Sequence, residues 1–214
     1  MTTHPTQYSQ SLLEIIAPEL DEKIHDPFAG TGIRLGKLCD ELGKTFSGTD
    51  IEDWGGDPRV KRGDSTQLSS YPEGSYQIVT SPVYPNGMAD HFKPKDTSRR
   101  RTYRVGLGKS LQENNAGRYS VRAGSKAADK YWEINKEAII CWATLGWSGF
   151  VNVSDFIHKG EVYPLVGMWR DLLAQQGFYV EQYATVLTPR YRLGTNRSKR
   201  VPYEAWLEFY PDPI

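Results

Sequence analysis

The run Asp26-Pro27-Phe28-Ala29-Gly30-Thr31-Gly32 constrains this chain more than any other stretch of it. A short strand entering Asp26 turns through Gly30 and Gly32 before helical spacing resumes over Ile33 to Leu42. A strand, a glycine turn and a helix in that order bring backbone close to a ligand at the carboxyl edge of a sheet. The helix amino terminus behind the turn favours an anionic group there. Two nucleotide sites are excluded. A dinucleotide fingerprint needs glycine three residues after Gly32, where this chain has Leu35. A phosphate-binding P-loop needs glycine five residues before Gly108-Lys109-Ser110, where Tyr103 stands, and Gly36-Lys37 is followed by Leu38.

The remaining pattern alternates helices with strands. Leu12, Leu13, Ile15, Ile16 and Leu20 give helical spacing over Ser9 to Leu20, stopped near Pro18. Strands are expected over Thr45 to Asp50, over Val60 to Arg62 reaching Asp64, and over Ser75 to Ser81. Met88 to about Asp129 has almost no apolar periodicity; a connection this long is either functional or disordered until a partner binds. A buried helix over Lys130 to Leu145, a strand over Gly149 to Ser154 and a helix over Val162 to Gln176 follow. Phe178 to Leu187 and Tyr203 to Tyr210 alternate as two antiparallel strands. The expectation is one α/β domain over residues 1–214: a mostly parallel sheet with helices on both faces, a carboxyl-terminal antiparallel hairpin, and a basic insertion at about 87–129.

Charge sharpens the meaning of that insertion. The formal net charge is zero, yet Lys93 to Lys126 carries ten basic residues against Asp96 and Glu113, and Arg190 to Arg200 adds five more with no acid. Such segregation fits a polyanion-binding face on an acidic body. The longest apolar run, Ala138 to Ala143, falls far short of a membrane span, and Met1 to Pro5 shows no secretory pattern, so a cytoplasmic protein is expected. Cys39 and Cys141 read as buried thiols in helices. His4, His25, His91 and His158 lack metal-ligand spacing, so no metal is expected.

Three carboxylates fall at successive strand ends: Asp26, Asp50 and Asp64. Asp50, about twenty residues past the glycine turn, is placed to accept from a ribose diol, and Asp64 with Ser65 to meet an adenine edge. Beyond the fourth strand stands Ser81-Pro82-Val83-Tyr84.

With these motifs the chain resembles the class I methyltransferases that use S-adenosyl-L-methionine, specifically the DNA amino-methyltransferases acting on cytosine N4 or adenine N6. That family's cofactor motif often reads as Asp26 to Gly32 does here, and its catalytic motif, (Asp/Asn/Ser)-Pro-Pro-(Tyr/Phe/Trp), is matched at Ser81 to Tyr84 except for Val83. The resemblance implies a Rossmann-like seven-stranded sheet. It implies cofactor contacts from Tyr8, Asp26, Pro27, Phe28, Ala29, Gly30, Gly32, Asp50, Ile51, Asp64, Ser65 and Ser81. The Ser81 side chain and the Pro82 carbonyl would accept hydrogen bonds from the target amine, with Tyr84 stacked on the base. An exocyclic amine is a weak nucleophile because its lone pair is delocalised into the ring, and two acceptors favour the pyramidal form that attacks. Val83 keeps both acceptors but returns a backbone N–H and loosens the turn.

A base inside a duplex cannot reach such a pocket, so the target is flipped out or single-stranded. Arg99, Arg100, Arg101, Arg104 and Lys109 follow the catalytic motif and are candidates for phosphate contacts. DNA is the expected partner; RNA, and a non-catalytic binding protein of the same fold, remain as alternatives. With no separate recognition domain evident, the loop reads a short sequence, or specificity is loose or comes from another subunit or a homodimer. A one-module modification enzyme would suit a phage or a restriction–modification system.

Overall fold

The computed structural model describes residues 9–83, 107, 111–119, 126–158, 161–187 and 201–212. Among these, seven strands form one sheet: β1 (Lys23–Asp26), β2 (Thr45–Asp50), β3 (Val60–Arg62), β4 (Gln77–Thr80), β5 (Gly149–Val153), β8 (Phe178–Leu187) and β9 (Tyr203–Pro211). A separate hairpin holds β6 (Phe156–His158) and β7 (Glu161–Tyr163). The order across the large sheet is β3-β2-β1-β4-β5-β9-β8. All neighbours in it pair in parallel except β9, which runs against both β5 and β8. This is the mostly parallel sheet with a terminal antiparallel hairpin that the residue pattern predicts. The strand order reverses between β1 and β4, and an open α/β sheet forms its ligand crevice beyond the strand ends at such a point.

Helices cover both faces. Helix α1 (Gln10–Ile16) starts where the Ser9 side chain accepts the Leu12 amide at 3.3 Å, and Pro18 falls in the 3₁₀ turn (Ala17–Glu19) that ends it. With α2 (Ile33–Glu41) it packs Leu12, Leu13, Ile16, Leu35 and Leu38 against Ile24, Val79, Phe150 and Trp206 of the sheet. The indole of Trp206 donates to the Leu12 carbonyl at 3.0 Å, tying α1 to β9. On the other face, α3 (Lys126–Leu145) and α4 (Leu165–Gln175) bury Ile139, Trp142, Trp169 and Leu173 against Ile78, Val151 and Leu207. Ile78 and Val79, or Phe150 and Val151, go to opposite faces because strand side chains alternate. Each such side chain is worth about 1.5–3 kcal/mol of burial. Cys39 and Cys141 are buried and free, as expected of them. No described helix is long and apolar enough to cross a membrane.

Two elements differ from the sequence reading. Helix α3 begins at Lys126, not Lys130: Ala128 is buried beside Tyr131 and Ile134, so an extra turn has a packing face although alanine gives it little apolar signal. The helix expected from Val162 begins at Leu165. Residues Glu161–Tyr163 instead form β7, paired antiparallel with β6. Pro164 disfavours the helical region for Tyr163, whose ring stacks on Phe156 at 4.8 Å. The first turn of α4 is capped from a distance: Asp155 accepts the Val166 amide at 2.8 Å and the Tyr203 hydroxyl at 2.7 Å.

Candidate active site

The carboxyl ends of β1, β2 and β3 carry the glycine loop and the three carboxylates, and the end of β4 carries Ser81 and Pro82 beside them. Gly30 and Gly32 both adopt positive φ, 55° and 62°, which lets the chain turn out of β1 and into α2. A Cβ on Gly32 would come within 2.4 Å of the Val60 Cγ2 atom, so β3 leaves no room for a side chain there. The loop is pinned to β2 at two points. The Ala29 amide donates to the Thr49 carbonyl at 3.0 Å, and the Gly30 amide to Asp50 Oδ2 at 2.8 Å.

Asp26, almost fully buried, joins the two motifs. One carboxylate oxygen accepts the Phe28 amide at 3.0 Å and the hydroxyl of Thr80, from the end of β4, at 2.7 Å. Pro27 is buried, while the half-buried Phe28 packs edge-on to Trp142 at 6.4 Å.

Asp50 is half-buried and well supplied with donors. Oδ1 accepts the Glu52 amide at 2.8 Å and the Trp54 indole at 3.1 Å, in addition to the Gly30 amide on Oδ2. Removal from water pushes its carboxyl up to about 6, the three hydrogen bonds holding back a larger rise. A carboxylate offers roughly four acceptor positions, so about one stays available to a ligand hydroxyl. Asp64 accepts the Thr66 amide at 3.0 Å and hydroxyl at 2.8 Å on one oxygen, and the Asn114 side-chain amide at 2.8 Å on the other. Ser65 is buried, its carbonyl accepting the Tyr71 hydroxyl at 2.7 Å.

Between these strand ends lies an open hollow of about 480 Å³ bordered by Ile51, Arg62, Gly63, Asp64, Gln112, Glu113 and Asn114. Its far wall is a segment that the sequence reading assigned wholly to the substrate loop. Residues 111–119 lie across the ends of β2, β3 and β4: Glu52, 2% exposed, accepts the Gln112 amide at 2.6 Å and the Asn115 side chain at 3.4 Å. The Gln112 side chain donates to the Ile51 carbonyl. Leu111 and Trp54 form a small apolar cluster with Val83.

The structure therefore brings Asp26, Pro27, Phe28, Ala29, Gly30, Gly32, Asp50, Ile51, Asp64, Ser65, Ser81 and Pro82 to one edge of the sheet. Tyr8, Tyr84, Arg99, Arg100, Arg101, Arg104 and Lys109 lie outside the described residues. Sequence reasoning missed Glu52, Trp54, the contact of Thr80 with Asp26, the Gln112–Asn115 run and Tyr131. A carboxylate two residues past Asp50 and an amide-rich run sixty residues later carry no shared period, so no pattern connects them.

No protein-family model matches the chain, and no curated protein matches it. Solved structures do. Magnesium protoporphyrin IX methyltransferase (ChlM) from Synechocystis PCC 6803, crystallised with bound SAH, superposes with a TM-score of 0.50 at 14% identity, over 94% of this chain and 81% of that one. The glycopeptide N-methyltransferase MtfA gives a TM-score of 0.49 at 12% identity over 95% and 87%, and a SAM-dependent methyltransferase from Archaeoglobus fulgidus 0.48 at 13% over 93% and 91%. The ChlM superposition and the β3-β2-β1-β4-β5-β9-β8 order agree. The fold is that of a class I methyltransferase. At such identities the likeness is one of architecture, and chemistry has to be argued from the site.

Proposed function

We propose that this chain is an S-adenosyl-L-methionine-dependent methyltransferase acting on an exocyclic amine of a DNA base, cytosine N4 or adenine N6. The observation that carries the reading is the Asp26–Thr80 hydrogen bond. It locks a glycine-loop strand beside the strand that leads into Ser81-Pro82, at the point where the strand order reverses. The neighbouring structures crystallised with SAM or SAH belong to proteins of diverse substrates, so the donor is inferred from this chain's own residues as well.

Those residues fit the cofactor. Asp50 has an acceptor position to offer a ribose hydroxyl, and Ile51 and Asp64 border a hollow of a size to take an adenine ring. When bound, the sulfonium supplies an electrophilic methyl group. The remaining work falls to the protein. The Ser81 hydroxyl oxygen and the Pro82 carbonyl would accept the N–H groups of the target amine, favouring the pyramidal nitrogen. Its lone pair attacks the methyl carbon as the bond to sulfur breaks, with the thioether leaving and the proton lost from the methylated amine passing to solvent. No strongly basic side chain is needed, because positioning and preorganised acceptors supply much of the rate. In this reading Tyr84 would stack on the base, and Arg99, Arg100, Arg101, Arg104 and Lys109 would contact phosphates.

Transfer of labelled methyl from S-adenosylmethionine to duplex DNA, single-stranded DNA and total RNA, followed by mass spectrometry of the nucleosides, tests the proposal. N4-methylcytosine or N6-methyladenine in DNA supports it. Label confined to RNA moves the substrate class, and no transfer to any polymer overturns the enzymatic reading. Tyr84→Ala should abolish transfer while leaving cofactor affinity nearly intact; loss of cofactor binding would show the reaction centre to be misplaced.

A further inference from the structure

Val83 follows Pro82 in the corner where the amine is read, and its own backbone has no ring to fix it. Two separate parts of the chain grip it instead. From α3, the hydroxyl of the fully buried Tyr131 donates to the Val83 carbonyl at 3.0 Å. From the other side comes the 3₁₀ turn Ala116–Arg118, closed by the Asn115 side chain on the Gly117 amide at 2.9 Å. A Cβ on Gly117 would lie 2.5 Å from the Val83 Cγ1 atom, so the valine methyl sits in the space that glycine leaves. Trp54 and Leu111 complete the pocket around the side chain. Ala116 and Tyr131 share one apolar cluster with Ala128 and Ile134, so the two grips are packed on each other.

We propose that Tyr131 is a positioning residue of the reaction corner: its hydroxyl, backed by the Gly117 turn, holds the Ser81-Pro82-Val83 backbone in the conformation that presents the Pro82 carbonyl and the Ser81 side chain together. This rests on the reading of that corner as the amine-binding site. The bond between Tyr131 and Val83 spans 48 residues, and the carbonyl it holds is one peptide from the carbonyl assigned to the amine. The Pro82 carbonyl belongs to the peptide that ends on Val83, so holding the Val83 carbonyl from α3 and its side chain in the Gly117 turn fixes the Cα on which that peptide pivots, and Tyr131 does so without touching substrate.

Tyr131→Phe keeps the ring and deletes the hydroxyl. Losing one such bond is worth up to about a tenfold change in an equilibrium. Native-state amide exchange of the peptide containing residues 81–84 should therefore quicken by about tenfold, while exchange in β1 and α2 stays unchanged. In the transfer assay kcat should fall by a similar factor, with KM and S-adenosylhomocysteine affinity within twofold of wild type. Val83→Pro in the Tyr131→Phe background should recover most of the lost kcat, because the ring restores the restraint by another route. A purely structural role for Tyr131 would lower the unfolding midpoint without the local exchange change or the rescue. Unchanged exchange at residues 81–84 overturns the inference, as does an unchanged kcat. A wild-type protein that transfers no methyl group refutes the proposed function instead, and the exchange measurement then still decides whether Tyr131 restrains the corner.

Discussion

Under the proposed function, a proton and a ribose hydroxyl compete for one lone pair of Asp50. Gly30, Glu52 and Trp54 fill three of the roughly four acceptor positions of its carboxylate. Burial pushes the carboxyl up to about 6, so protonation of the fourth position falls within an accessible pH range. A ribose hydroxyl donating there requires the ionised form. The ionised share falls from about nine-tenths at pH 7 to about one-tenth at pH 5, so affinity for S-adenosylhomocysteine should weaken about tenfold, or about 1.4 kcal/mol. Isothermal titration calorimetry from pH 5 to pH 7 reads this directly, and the window stays below the ordinary range of the ligand's own α-amino group. His25 adds nothing in this window, because burial pushes its ring down to about 3 and keeps it neutral. Asp50→Asn should bind more weakly at pH 7 and show no slope, since the amide neither ionises nor offers a second acceptor oxygen. A wild-type dissociation constant that stays within twofold from pH 5 to pH 7, or an equal slope in Asp50→Asn, would refute the competition.

His25 itself sets a stability trend. Its folded-state value lies below the ordinary 6.5, so the unfolded chain binds the proton first and stability falls as pH drops below about 6.5. From pH 7 to pH 5 the loss should be about 2 kcal/mol, read as the difference in urea-unfolding free energy between wild type and His25→Gln. Asp50 works in the opposite direction, since its raised value penalises folding more at pH 7 than at pH 5, and it is common to both proteins compared. Thr80→Val keeps shape but removes a donor to the buried Asp26, and urea unfolding should show a loss of about 1–3 kcal/mol, typical of a buried acceptor stripped of a partner. Arg99, Arg100 and Arg101 changed together to Ala should weaken DNA binding and flatten its logarithmic salt dependence by about 0.9 for each phosphate no longer neutralised; an unchanged slope would assign the segment to something else.

The elements nearest the site were the most legible. Asp26 to Gly32 demands a strand, a left-handed turn and a helix whatever surrounds it, and β1, the two positive-φ glycines and α2 follow that demand. The terminal hairpin was readable because β8 and β9 run to ten and nine residues rich in aromatic and β-branched side chains, long enough for a strand signal to stand out. The β6–β7 hairpin was hidden because three-residue strands have no period, and Val162 continued the spacing of the helix beyond it. Pro164 was the available clue. The docking of residues 111–119 was invisible for a different reason. Its anchors are Gln112, Asn114 and Asn115 on Glu52 and Asp64, polar groups hydrogen-bonded to one another. Hydropathy reads such residues as solvated loop, whereas Asn115 is 7% and Glu52 2% exposed. The stretch expected to serve substrate alone thus supplies part of the wall beside the three carboxylates.

The two hydrogen bonds that fasten Ala29 and Gly30 to β2 bear on how a guest would be received. Because the protein's own groups already order that turn, a newcomer need not freeze it, and little of the association free energy goes into arranging main chain. Capture should then be fast and nearly insensitive to temperature-driven loop motion, and discrimination between guests of like shape would fall to the side chains that border the hollow, where Asn114 and Asp64 meet.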